Sequence, residues 1–175
     1  PPFTFGFRQL GTNCGAVGIN AAVDVNGIAY WMGNDSFFLF DGAVKKIPCS
    51  VQDYVFDDIN NNALGDVFCA VNSDFNEVIW FYPSKNSTQV DRNVTYNYAE
   101  KIWYIGTLAR SSWADRGVYS NPYAAEFEAS DTTATISTIN GVKEGRTFVY
   151  LHEEGVNDDG AAMNCHVESG DIDVG

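Results

Sequence analysis

Basic residues are scarce in this 175-residue chain: 10 Lys and Arg stand against 23 Asp and Glu, for a formal charge of −13. A field of that sign repels phosphate, which excludes a fold that grips nucleic acid by its backbone. The shortage is uneven. Residues 1–50 balance, with Arg8, Lys45 and Lys46 against Asp24, Asp35 and Asp41, whereas residues 151–175 hold seven carboxylates and no Lys or Arg. Such a surface serves solubility, and it is also one that DNA could pass without adhering. No run of about 18 uninterrupted apolar residues occurs, so no membrane contact is expected. The opening PPFTFGFRQL has no basic segment leading into an apolar one, hence no signal-peptide pattern, and it reads as chain continuing from something longer.

Cysteine is sparse and scattered. Cys14, Cys49, Cys69 and Cys165 form no CxxC pair, so free buried thiols are expected rather than disulfides or metal ligands. No nucleophile elbow or catalytic triad is present. Gly11, Gly15 and Gly18 make no phosphate loop, because no strand-to-helix context and no Lys-Ser/Thr follows them.

The residues that could carry chemistry lack the spacing for it. His152, Glu153 and Glu154, with Cys165 and His166, show no HxH, HExxH or CxxH pattern, so a metal site is not expected. Asn157-Asp158-Asp159-Gly160 matches a fragment of a calcium loop without its ligand series or closing Glu. Asp35, Asp41 and Asp91 fall at strand ends, where turns favour short polar side chains. Ser111-Ser112-Trp113-Ala114-Asp115 has the wrong residue order for a sialidase aspartate box. Asn86-Ser87-Thr88 and Asn93-Val94-Thr95 fit the glycan acceptor pattern, which matters only in a secreted chain. No catalytic, cofactor-binding or metal site is therefore assigned, and no cofactor is expected.

What the chain has in quantity is strand-forming residues. Aromatics make up 14% and charged residues only 19%, a balance that favours packed extended chain. Val67–Leu108 reads as four short strands, VFCAV, EVIWFY, RNVTYNY and KIWYIGTL, joined by Asn-, Ser- and Pro-rich turns. Residues 19–48 repeat the plan with INAAVDV, IAYWM, SFFLF and AVKKIP, and Asn26-Gly27 and Asp41-Gly42 mark hairpins. Trp31 and Trp80, 49 residues apart, overlay in the two units. Trp80, Tyr82, Tyr96, Tyr98 and Trp103 are expected to pack the unit's core. Between the units, Val51, Tyr54, Val55 and Ile59 have helical spacing, and Ser50 with Asp53 fits a capping box, predicting a helix over about 51–62 with Asp57 and Asp58 solvated.

A third, irregular unit is expected over about 126–175. It contains strands EFEAS, TATIST and TFVYLHE, a turn at Asn140-Gly141, a loop at GVNDDGAAMN and an outer strand in CHVESGDIDVG. Trp113 and Tyr119 anchor the connection that leads to it. Repeated four-stranded antiparallel meanders predict an all-β, β-propeller-like array, incomplete in this chain, with one short connecting helix.

The blocks YWMGNDSFFLFDG, IPCSVQDYVFDDIN, NEVIWFYPSKNST, DRNVTYNYAEKIW and YLHEEGVNDDG resemble a family of bacteriophage virion proteins, those of the tail nozzle or tail tubular protein B type from short-tailed phages. The resemblance covers about Gly18 to Gly175. It implies a propeller-like domain within a larger chain, arranged as a ring of copies, commonly a hexamer, around the DNA exit channel in the virion tail. The implied partners are copies of the chain, other tail and head-to-tail connector proteins, and DNA that passes without sequence-specific binding. It implies structural duty rather than catalysis, with no site residues carried over. Two other readings stand beside it: a carbohydrate-binding or glycoside-cleaving tail propeller, and a head-to-tail adaptor that stabilises packaged DNA. This chain ends soon after SGDIDVG, where relatives continue with further strands.

Overall fold

The computed structural model describes residues 6–128, 146–158 and 161–162. The first sheet is an antiparallel meander of β1 (Ala22–Val25), β2 (Ile28–Met32), β3 (Phe37–Phe40) and β4 (Val44–Ile47), hydrogen-bonded in chain order. Its tightest turn is Asn26-Gly27, with φ of 53° and 83°. Left-handed backbone at both residues matches the twist of the flanking strands, and the Gly27 N–H donates to Asp24 Oδ1 at 3.2 Å. The second sheet repeats the plan with β5 (Phe68–Asn72), β6 (Glu77–Tyr82), β7 (Arg92–Asn97) and β8 (Ile102–Thr107).

Helix α1 (Gln52–Asp58) joins the two. It is shorter than the expected 51–62 because Ile59 turns extended, at φ −66° and ψ 138°, and bridges to Ser84. The Ser50 capping box does not form; Val51 is the N-cap and no side chain caps the helix. Val55 and Ile59 are buried, whereas Tyr54 stays half exposed. Asp58, expected in solvent, lies half-buried with its Oδ2 3.7 Å from Arg92 Nε.

The third sheet has the order β11–β10–β9, from β9 (Ser112–Ala114), β10 (Tyr123–Glu128) and β11 (Arg146–Leu151). Within the expected loop GVNDDGAAMN, β12 (Asn157–Asp158) and β13 (Ala161–Ala162) form a two-residue ladder. The TATIST strand, the Asn140-Gly141 turn and the CHVESGDIDVG strand lie outside the described residues.

The sheets stack in layers, and β6 explains why. After Glu77 its sequence VIWFY is a continuous apolar run, because this strand is covered on both faces. Val78, Trp80 and Tyr82 join the core shared with the first sheet; Ile79 and Phe81 join a second core with Ala70, Phe68 and Trp113. Phe37 of β3 sits 4.9 Å from the Trp80 ring and 4.6 Å from Trp103, and Tyr30 lies 6.4 Å from Tyr96. On the other side Phe68 stacks on Phe81 at 4.7 Å, and Phe81 lies 5.9 Å from Trp113. The Gly-rich opening also finds a packing role. A Cβ on Gly18 would stand 2.8 Å from the Leu64 carbonyl oxygen, so only glycine allows that approach.

The expected propeller does not form. Among the described residues there are three larger open antiparallel sheets, a two-residue ladder and one short α-helix, and no sheet closes a ring. The four-stranded meander was read correctly as a local unit, but closure requires every sheet face to be covered by another sheet. The third sheet instead turns an apolar face outward, where Tyr123, Ala125 and Phe127 share one side with Leu151, Val149 and Thr147, and Val149 is 71% exposed. The result is an open layered sandwich.

Trp80 is fully buried between layers and donates its indole N–H to the Ala21 carbonyl at 3.1 Å. Trp80→Ala is expected to cost about 3–5 kcal/mol in urea unfolding, whereas Tyr54→Ala on the exposed helix face should stay within about 0.5 kcal/mol of wild type.

Candidate functional site

The junction between the second and third sheets gathers most of the unusual polar residues. Arg110, just before β9, is only 6% exposed. Burial of a guanidinium is costly unless its donors are paired, and here Nε and Nη1 are. Its Nε donates to His152 Nε2 at 3.0 Å, and Nη1 donates to Glu126 Oε2 at 2.9 Å and to the Ala109 carbonyl at 2.6 Å. The guanidinium carbon lies 4.2 Å above the centre of the Tyr150 ring. His152 itself lies 4.6 Å from Trp113. As an acceptor at Nε2, His152 carries its proton on Nδ1, which fixes its tautomer.

A cleft of about 410 Å³ opens beside this cluster. Phe68, the turn around Asp66, the loop of Thr88, Gln89 and Val90, and the Arg110–Glu126 pair line it. The arrangement offers hydrogen-bonding groups above apolar surface, with one fixed ion pair at its wall.

A second cluster lies at the end of β5. Asn72, 2% exposed, donates from Nδ2 to Glu153 Oε1 at 3.1 Å. Glu77, opposite Asn72 in the ladder, accepts from the Tyr104 hydroxyl. Burial first, and the nearby Glu153 charge second, push the Glu77 carboxyl above its usual range, against the hydrogen bonds from Tyr104 and Asn72. Glu153 holds a left-handed backbone, φ 60°, where β11 gives way to the turn.

The structure distributes the sequence candidates without assembling them. His152 and Glu153 serve the two clusters above, and Glu154 is exposed. Asp35 sits in an exposed turn. Asp41 pairs with Lys45, whose hydrogen bond holds its carboxyl below the usual range. Asp91 accepts from both the backbone N–H and the hydroxyl of Ser84, each at 2.7 Å, and so clamps a turn. Ser111 donates its backbone N–H and its hydroxyl to the Ala125 carbonyl, extending the β9–β10 ladder, and Asp115 accepts from the Ser73 N–H, joining the third sheet to the second. Asn93 is buried in β7 and cannot take a glycan there, whereas Asn86 is exposed. Cys14, Cys49 and Cys69 are free thiols; burial pushes Cys49 up to about 11 and Cys69 well above its ordinary value. Cys165, His166, Asp159 and Gly160 lie outside the described residues. Among the described residues no group of three or more His, Cys, Asp or Glu could hold a metal ion, and no helix is long and apolar enough to cross a membrane.

No protein-family model matches this chain, and no curated protein does. The labels that followed from the phage-tail resemblance (viral protein, tail nozzle, DNA ejection) therefore gain no relative to rest on and are withdrawn as descriptions of the chain, while the propeller label falls with the open sheets. Sequence reading missed Arg110, Glu126, Asn72 and Glu77, since none belongs to a motif. No local signal marks Arg110 as buried, since its neighbours in TLARSSW mix polar and apolar residues.

Arg110→Ala is expected to destabilise the fold by about 3–5 kcal/mol, leaving the Glu126 carboxylate without its partner; chemical denaturation measures it. Glu77 binds its proton more tightly when folded than when unfolded. Its contribution is thus fully present below the unfolded carboxylate range and is lost as pH rises through the folded value. Glu77→Gln should melt higher than wild type at neutral pH, and the gap should close on acidification to about pH 4.

Proposed function

We propose that this chain is a structural module, not a catalyst, that enters a larger assembly of its own copies through free sheet edges. The observation that carries the reading is β8. This six-residue edge strand, IWYIGT, contains no charged residue and no proline, and Ile102, Tyr104 and Ile105 are all exposed on it. Natural edge strands are normally blunted by charge or proline. The matching edge in the first sheet, β4, is blunted in this way by Lys45 and Lys46, with Pro48 just beyond.

The third sheet offers an edge of the same length. Among the described residues β11, RTFVYL, pairs on one side only, and it has no charge beyond its first residue. Joining β8 of one copy to β11 of the next is a heterologous contact, which builds a ring where its rotation closes and a filament where it does not. The phage-tail resemblance supplies a setting, a conduit in a virion tail, and this part of the proposal stands on the resemblance alone. The acidic balance suits a wall past which DNA slides.

Light scattering on the eluting protein tests the assembly. The wild-type chain is expected to elute as an oligomer, and Ile105→Lys and Val149→Lys as monomers. Mixing the two variants leaves one intact β8–β11 contact, so dimers should appear. A wild type that stays monomeric, or variants that assemble as well as wild type, would overturn the reading.

A further inference from the structure

We infer that the cleft between the second and third sheets is a binding site for a neutral carbohydrate. This inference is independent of the edge-strand assembly, since the cleft walls are loops and sheet faces rather than β8. Its volume, about 410 Å³, falls in the range of small-ligand sites.

Charge selects the ligand class first. The one cationic group in the wall, Arg110, is already paired with Glu126 at 2.9 Å, and Asp66 adds a carboxylate. A phosphate or carboxylate ligand would meet more negative than positive charge on an already acidic chain. A neutral ligand meets no such barrier.

Shape and hydrogen bonding select next. Phe68 and Val90 give the cleft apolar surface against which the C–H face of a sugar ring can lie. One face of Phe68 is occupied by Phe81, stacked at 12° and 4.7 Å, so the cleft has no pair of free parallel rings to sandwich a flat heterocycle. Around the apolar surface stand Asn20, Thr88 and Gln89, exposed side chains that can donate and accept together, as vicinal hydroxyls do. The Arg110–Glu126 pair adds a rigid donor and acceptor side by side, held in place by His152 and Tyr150. Preorganised groups of this kind lose little freedom when a ligand arrives.

Titration of the purified chain with methyl α-D-glucopyranoside, methyl α-D-mannopyranoside and N-acetylglucosamine, followed by amide NMR and calorimetry, tests the site. At least one of the three is expected to bind with a Kd of about 1 mM or tighter, with shifts concentrated at Gln89, Arg110 and Phe127. Thr88→Ala and Gln89→Ala should each weaken binding tenfold or more. Thr88 and Gln89 are both exposed on a loop, so neither variant removes a core contact. Inorganic phosphate and adenosine serve as counter-probes. Binding of either at these residues in preference to the sugars, silence from all three sugars, or sugar binding unchanged in both variants would overturn the inference.

Discussion

An indole can be buried only if its N–H finds an acceptor, and in this chain that requirement joins one layer to the next. All four tryptophans donate to a backbone carbonyl in another part of the fold: Trp31 to Cys14, Trp80 to Ala21, Trp103 to Pro48 and Trp113 to Val71, at distances between 2.7 and 3.1 Å. Trp80 and Trp103 tie the second sheet to the two ends of the first, while Trp113 ties the third sheet to the edge of the second. Because the acceptors are main-chain atoms, the bonds set backbone positions and not merely side-chain packing. The Ala21 carbonyl also accepts from the Met32 N–H, and the neighbouring Asn20 carbonyl accepts from the Cys69 N–H at 2.7 Å. The first and second sheets are thus locked where β1 begins and β5 runs alongside.

Charge is arranged around those joints. Arg92 bridges Asp58 and Asp91 near the helix, Arg116 meets Asp74 at a turn of the second sheet, and Arg110 lies within the interface of the second and third. With so few cations, each described guanidinium in that group works at a boundary between elements. The carboxylates left over define the rest of the chemistry. Glu77 and Glu153 share the amide of Asn72 without a cation between them, and burial raises the proton affinity of Glu77. The cleft beside Arg110 is correspondingly poor in positive charge, which bears on any ligand it accepts.

Openness is the other governing property. A layered stack of sheets covers the central strands of its middle member on both faces and leaves its outer members half covered. Strand β6 is therefore the most apolar stretch of the fold, whereas large hydrophobic side chains reach solvent on the third sheet and on β8, the free edge of the second. The same openness leaves edges unpaired. Edges differ in how they are protected, by lysines on β4 and by nothing comparable on β8, and that asymmetry gives the molecule directions in which strands can be added.

The sequence alone determined the local units. Alternating apolar and aromatic residues, Asn26-Gly27 and the polar turns placed both meanders strand for strand, because strand pairing between chain neighbours depends on short-range pattern and turn chemistry. It also marked Trp80, Tyr82, Tyr96, Tyr98 and Trp103 as packing residues. The tertiary structure decided everything that depends on distance along the chain. Whether repeated meanders close or stay open depends on which faces find another sheet to cover them, and a meander's sequence is much the same in either case. The pairing of Arg110 with Glu126 and His152, 16 and 42 residues away, has no periodic signature at all. Burying a charge forces a partner to exist, but only the fold selects which carboxylate it is.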